Sequence, residues 1–169
     1  MAVRSSQIMS GIRVQREPFD PGAEINGFCA RNATSGGIAN FIGQMRDFRG
    51  PSRGEGEAVA TMTLEHYPGM AERELADLVK DAKGRWTLDD VLVIHRVGLL
   101  TPGEAIVLVA TASAHRGDAL AACAFLMDWL KTKAPIWKKE ATAGGATWVE
   151  ARESDEAQAA KWTAIAPKG

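Results

Sequence analysis

Four lysines fall within nine residues in the segment Lys131-Thr-Lys-Ala-Pro-Ile-Trp-Lys-Lys-Glu140. A solvated charge run does not usually carry Ala134-Pro135-Ile136-Trp137 at its centre. The apolar residues imply that the segment packs while its lysines reach outward. Pro135 fixes its own φ and drives Ala134 out of the α region. A helix ending near Lys133 must therefore pass into extended chain, with ammonium groups projecting from two elements across a rigid corner. Such a corner suits an anionic ligand, or a carbonyl that needs a proton donor. Lysines at a helix C-terminus also complement the helix dipole with no ligand at all. On this segment alone, both readings stand.

Other basic residues fall at predicted element ends. His115-Arg116 lies where an apolar run stops and a helix begins, a junction whose backbone N–H groups and dipole favour anions. Arg116 adds a planar fork suited to phosphate, although a capping histidine beside a surface arginine reads the same way. Arg46 stands where a strand enters a loop. His66 ends another strand as polar wall or plain surface, and His95 reads as a satisfied structural histidine. Cys, His and carboxylates do not pair at ligand spacing, so no metal site is expected. There is no GxGxxG, P-loop or GxSxG. The set fits an enzyme that binds a phosphorylated substrate and uses lysine for acid–base work. It fits a non-catalytic anion-binding module as well.

The elements that must position these residues follow from periodicity and punctuation. Ile12 and Val14 alternate with polar residues as a strand does. Asp20 caps a helix with Pro21 in its first turn, Ile25, Phe28 and Cys29 on one face, and an end near Asn32. After a turn at residues 34–37, residues 38–46 read as a strand. Residues 47–57, rich in Gly and charge, read as a mobile loop. A strand returns over residues 59–67. Ala71, Leu75, Leu78, Val79 and Ala82 mark an amphipathic helix ending near Gly84. Residues 91–98 form a strand, Thr101-Pro-Gly-Glu104 a type II turn, and the apolar run 105–112 a central strand buried on both faces. These two strands pair as an antiparallel hairpin. A helix spans residues 115–131, with Ala119, Ala122, Cys123, Leu126 and Leu130 in its core stripe. Phe125 and Trp129 lie off that stripe, as further core or as a subunit contact. Extended chain from Trp137, a turn at 142–146, a strand at 146–150 and a short helix capped by Ser154 complete an α+β fold on mostly antiparallel sheet.

Composition narrows the function. A chain of 169 residues with 46% hydrophobic and 24% charged residues reads as one globular domain. A net charge of −1 argues against general nucleic-acid binding. No apolar stretch reaches membrane-spanning length, and Met1–Met9 has no signal-peptide core, so a cytoplasmic protein is expected. Cys29 and Cys123 sit among apolar helical positions, which predicts buried thiols rather than a disulfide or a nucleophile.

Taken together, Leu130-Lys-Thr-Lys-Ala-Pro-Ile-Trp-Lys-Lys-Glu140, the preceding His115-Arg116 and the following Trp148-Val-Glu-Ala-Arg152 resemble the large, catalytic subunit family of molybdopterin synthase. Gly43-Gln-Met-Arg-Asp47, Leu64-Glu-His-Tyr67 and Ile94-His-Arg-Val-Gly98 extend the likeness over most of the chain. The Lys-x-x-x-Pro-x-Trp-Lys combination is its most specific part.

The resemblance implies an α/β hammerhead-type domain with an additional antiparallel β subdomain. It implies a homodimer in which each copy binds a small ubiquitin-like sulfur-carrier subunit, making a heterotetramer. The carrier ends in Gly-Gly bearing a thiocarboxylate, and its sulfur passes to cyclic pyranopterin monophosphate to form the dithiolene of molybdopterin, with no cofactor. Lys131 and Lys138 match the family's catalytic lysines. Arg46, His115 and Arg116 match its substrate-phosphate contacts, and Lys139 and Glu140 match neighbouring substrate contacts. Both protomers are expected to contribute to one pocket. Phe48 and the long Gly-rich segment from Arg49 to Glu57 depart from the family pattern and bear on the reach of that loop. A carrier-tail binding module without chemistry, and a pterin-phosphate enzyme that needs no carrier, are the competing readings.

Overall fold

The computed structural model describes residues 11–150 and 153–165. Met1–Met9 and Ala151-Arg152, used above, lie outside the described residues. Two sheets organise the chain. The first has the order β1-β5-β7-β2, from Ile12–Gln15, Asp90–Arg96, Ala105–Ser113 and Gly37–Gln44. β1 runs parallel to β5, and the other pairs are antiparallel. The expected hairpin of β5 and β7 is present, with Val93 opposite Val109 and Ile94 opposite Leu108. Alternation along these strands sends Val93 and Val109 to one face and Ile94 and Leu108 to the other. The first face packs under α2 (Met70–Arg85) and α3 (Arg116–Lys133), the second under Phe28 of α1 (Pro21–Arg31). β7 is thus buried on both sides, as its unbroken apolar run predicted.

The second sheet is antiparallel and joins β3 (Phe48–Arg49), β4 (Glu57–His66), β8 (Ile136–Thr142) and β9 (Gly145–Val149) in that order. β6 (Gly98–Leu100) pairs with the other part of β4. The stretch predicted as one strand over 91–98 therefore divides. At Gly98, with φ +86°, the chain leaves the first sheet for the second. Part of the 47–57 loop is paired, with Phe48 opposite Ala58 and Arg49 opposite Glu57. Gly103, at φ +89°, occupies the third position of its turn, which closes with Glu104 N–H donating to Thr101 O.

Two expectations change, and one that was open closes on the core. Cys29 is exposed, because α1 buries only Phe28 and the next residue turns outward. Ser154 is the second residue of α4 (Glu153–Ala160) rather than its cap. Phe125 is fully buried in a T-shaped cluster with Trp86, Trp129 and Trp162, so it is core and not a subunit contact. Trp162, in a short 3-10 helix (Lys161–Thr163), donates its indole N–H to Asp128 at 2.7 Å. That bond ties the C-terminal segment to α3.

Candidate active site

The lysine corner is built as Pro135 dictates. α3 continues to Lys133, Ala134 adopts φ −63° and ψ 125°, and β8 starts at Ile136. Lys131 sits in the last turn of α3, more than half exposed, with its Nζ 3.9 Å from Asp155 Oδ1 of α4. At that distance, in solvent, the pair contributes little energy and mainly biases the side chain. Lys133 lies over the Trp129 ring, 4.3 Å from its centroid.

β8 presents the remaining residues in alternation. Lys138 and Glu140 share one face, Trp137 and Lys139 the other. Lys138 Nζ is 3.3 Å from Glu140 Oε1, and Arg49 Nε donates to Glu140 Oε2 at 2.7 Å. Burial alone would push the Glu140 carboxyl up. The Arg49 hydrogen bond and the Lys138 charge outweigh burial and hold it below the usual carboxylate range. Glu140, at 9% exposure, is among the few buried charged groups. Both of its oxygens are occupied by this chain's own cations. On the opposite face, Lys139 lies over Trp148 at 5.4 Å, and Trp137 meets Tyr67 edge-on. Glu65, His66, Tyr67, Trp137 and Trp148 line a shallow hollow of about 280 Å³. The three aromatics are exposed there at 65%, 45% and 54%.

Arg46 follows β2, exposed, with its guanidinium 5.0 Å from the Phe48 ring centroid. Met45, Arg46, Phe48, Arg53, Pro102 and Gly103 border an open depression of about 350 Å³. Arg53 pairs with Asp47 and braces the loop. Arg49, three residues after Arg46, reaches Glu140, so this depression and the lysine corner occupy the same end of the molecule.

His115 and Arg116 stand at the other end. His115 is the N-cap of α3 and Arg116 its first residue, both exposed, and the His115 side chain makes no capping bond. β2 begins beside them: Gly37 pairs with Ser113, and a Cβ on Gly37 would sit 3.2 Å from Arg116 Cα. On Gly36 it would clash with Ala114 O at 2.1 Å, so the Gly-Gly pair is what permits this approach. Lys131 lies about 22 Å further along the helix axis. One chain therefore gathers Arg46, Lys131, Lys138, Lys139 and Glu140 towards one end and keeps His115-Arg116 apart from them.

His95 is buried, as expected of a structural histidine, and its ring Nδ1–H donates to Arg96 O at 2.7 Å. Burial lowers its pKa to about 4, so it stays neutral. Among the described residues, no helix is long and apolar enough to cross a membrane.

Residues 14–133 match the family described as MoaE protein. The chain is 54% identical over 154 residues to the molybdopterin synthase catalytic subunit of Ralstonia nicotianae, covering 91% of this chain and 85% of that one. The chain belongs to the MoaE family. Its fold matches the molybdopterin biosynthesis MoaE protein from Burkholderia ambifaria with a TM-score of 0.75 at 48% identity, over 92% of this chain and 99% of that structure. Molybdopterin synthase from Staphylococcus aureus matches with a TM-score of 0.72 at 27% identity, over 84% and 98%. The chain is thus an enzyme subunit, akin to catalytic subunits of molybdopterin synthase. Within this MoaE chain, sequence reasoning missed Arg49 and Asp155, the partners of Glu140 and Lys131. Neither carries a periodic or motif signal, because each meets its partner only through tertiary folding.

Proposed function

We propose that this chain transfers sulfur from the C-terminal thiocarboxylate of a small ubiquitin-like carrier subunit to cyclic pyranopterin monophosphate, forming the dithiolene of molybdopterin. The observation that carries the reading is the pair of lysines across the Pro135 corner, each held beside a carboxylate. Neither cysteine is placed to serve as a sulfur relay. Burial raises the Cys123 thiol to about 11, and Cys29 lies on α1, across the first sheet from α3. This accords with sulfur that arrives on a partner, and "catalytic subunit", the name of the relatives, implies a second subunit.

In this mechanism the carrier's Gly-Gly tail, lacking side chains, enters a narrow passage and places its thiocarboxylate by the ammonium groups. The thiocarboxylate sulfur bonds to a pterin side-chain carbon. Water then attacks the acyl carbon, so that the acyl C–S bond breaks and the carrier leaves as a carboxylate. One lysine polarises the thiocarboxylate and stabilises the oxyanion of that attack, and the other moves protons at the pterin side chain. His115-Arg116 and Arg46 hold the substrate phosphate, the first pair through a helix N-terminus and a guanidinium fork. Glu140 borders the substrate on the Lys138 face of β8, while Lys139 lies over Trp148 on the opposite face. The span between Arg116 and Lys131 exceeds what one small phosphorylated substrate bridges. A second copy of the chain therefore supplies His115-Arg116 to the lysines of the first, within a heterotetramer of two catalytic and two carrier subunits.

Mixing two variants tests this. Lys138→Ala and Arg116→Ala proteins are each assayed with thiocarboxylated carrier and with cyclic pyranopterin monophosphate well below its KM, where both are slow, then co-refolded. A site shared between protomers predicts regained turnover in the mixture, because one site of each mixed dimer is intact. No regain would sink the shared site. No sulfur transfer by the unaltered protein, or transfer that ignores deletion of the carrier's Gly-Gly, would sink the reaction.

A further inference from the structure

Lysine has a flexible four-carbon stem and a rotatable ammonium group, so it holds one position only when its partner is itself held. Lys138 leans on Glu140, and the structure indicates what holds Glu140. Arg49 Nε donates to Glu140 Oε2 at 2.7 Å, while Arg49 Nη2 donates to Thr147 Oγ1 at 3.0 Å. Thr147 is the cross-strand partner of Glu140 on β9. One planar guanidinium thus clamps both members of a β8–β9 pair from β3, 91 and 98 residues away in sequence. Glu140 is left with Oε1, and that oxygen faces Lys138 Nζ at 3.3 Å. Each carboxylate oxygen serves one cation. The groups around Glu140 are Arg49 from β3, Lys138 on its own strand and Thr147 from β9; Met62 lies opposite it on β4, and Glu57 stands opposite Arg49.

We propose that Arg49 is a positioning residue for the reaction: it orients Glu140 so that the free carboxylate oxygen fixes the Lys138 ammonium. The proposal rests on the reading that Lys138 acts in sulfur transfer. Arg49 touches neither substrate nor carrier in this role. A lysine at position 49 would keep the charge but could not hold two acceptors in one plane.

The consequence is a rate profile that depends on Glu140 through Arg49. Protonating Glu140 releases Lys138, so the rate falls as pH drops through the Glu140 pKa. Removing Arg49 leaves the burial of Glu140 and takes away cationic support, so that pKa rises and the acid limb moves to higher pH.

The test measures single-turnover rates against pH for the assembled synthase, with saturating thiocarboxylated carrier and cyclic pyranopterin monophosphate. Arg49→Ala should run roughly ten- to hundredfold slower at neutral pH, the scale of a reacting group displaced by about an ångström. Its acid limb should move up, and Arg49→Lys should recover part of both effects. In a Glu140→Gln background, Arg49→Ala should cost less than about twofold more, because the two residues act as one unit. An unmoved acid limb, or an undiminished Arg49 effect in the Glu140→Gln background, would reduce Arg49 to a staple of its loop. If Arg49→Ala does not fold, Arg49→Lys carries the same comparison. Lys138→Ala separates the two claims. A near-normal rate there brings down the underlying reading, whereas a slow Lys138→Ala beside a normal Arg49→Ala brings down this proposal alone.

Discussion

At its N-terminal end α3 presents His115 and Arg116 to solvent, and neither forms an ion pair among the described residues. At its C-terminal end, Lys131 faces Asp155 and, across the corner, Lys138 faces Glu140. Among the described residues, then, Arg116 forms no ion pair, whereas both lysines are partnered. The difference fits the two tasks proposed above for these ends. A phosphate site works by attraction in ground and transition state alike, and a carboxylate beside it would compete with the ligand. A reacting lysine must occupy one position, and a carboxylate partner supplies that at the cost of some positive potential. The two partners also differ. Glu140 is buried and clamped, whereas Asp155 is half-open and 3.9 Å away.

The comparison can be broken from its strongest side first. Lys138→Ala and Lys131→Ala should each lose on the order of 10²-fold or more in single-turnover rate at saturating carrier, the scale of a general acid–base or oxyanion group. Near wild-type rates in both would remove the catalytic end altogether. Arg116→Ala should instead raise KM about tenfold and leave kcat within about twofold, since it loses uniform binding. A kcat-only effect would place Arg116 in the chemistry and erase the contrast. Asp155→Asn should lower the rate by only a few fold, because its contact is long and solvated. A loss as large as that of Lys131→Ala would make the two partners equivalent.

Acid stability gives a control that rests on neither lysine. His95 is held neutral with a pKa of about 4, well below its ordinary 6.5. The stability this confers is fully present above about pH 6.5 and is lost as pH falls towards 4, by roughly 3 kcal/mol in all. His95→Gln should flatten that part of the Tm-versus-pH curve. A wild-type slope in the variant would assign the loss to the carboxylates instead. The smallest effect belongs to Lys133→Ala. Its side chain rests on Trp129 rather than at the corner, so the rate should stay within about twofold. A larger loss than Lys131→Ala would exchange the roles of the two lysines.

Much of this molecule was legible in local sequence. Pro135 dictated where α3 hands over to β8, since its ring forbids the preceding residue from staying helical. Asp20-Pro21 started α1, with the Asp20 carboxylate accepting from Gly22 and Ala23 as a cap must. The apolar run of β7 announced burial on both faces, and Thr101-Pro-Gly-Glu104 its turn. The motif residues of the MoaE family could also be named from their neighbours alone. Such features depend on dihedral preference, periodicity and short-range hydrogen bonds, all written within a few residues.

Contacts between distant residues were not legible. Nothing near Gly98 indicates that the strand there changes sheets, because that depends on which edge β4 leaves open. Cys29 shared a helical face with Phe28 on paper, yet a helix that rests on its sheet through one deep side chain leaves the next residue outside. Phe125 lay off the predicted stripe but was drawn inward by Trp86 and Trp162, from segments outside α3. The sequence by itself determined most of the elements and singled out the lysines at the Pro135 corner. Only the tertiary structure decided that Arg49, from a glycine-rich loop, closes on Glu140, and that Asp155 of α4 meets Lys131. Side-chain pairing across ninety residues is governed by sheet register and packing, and neither leaves a trace in local sequence.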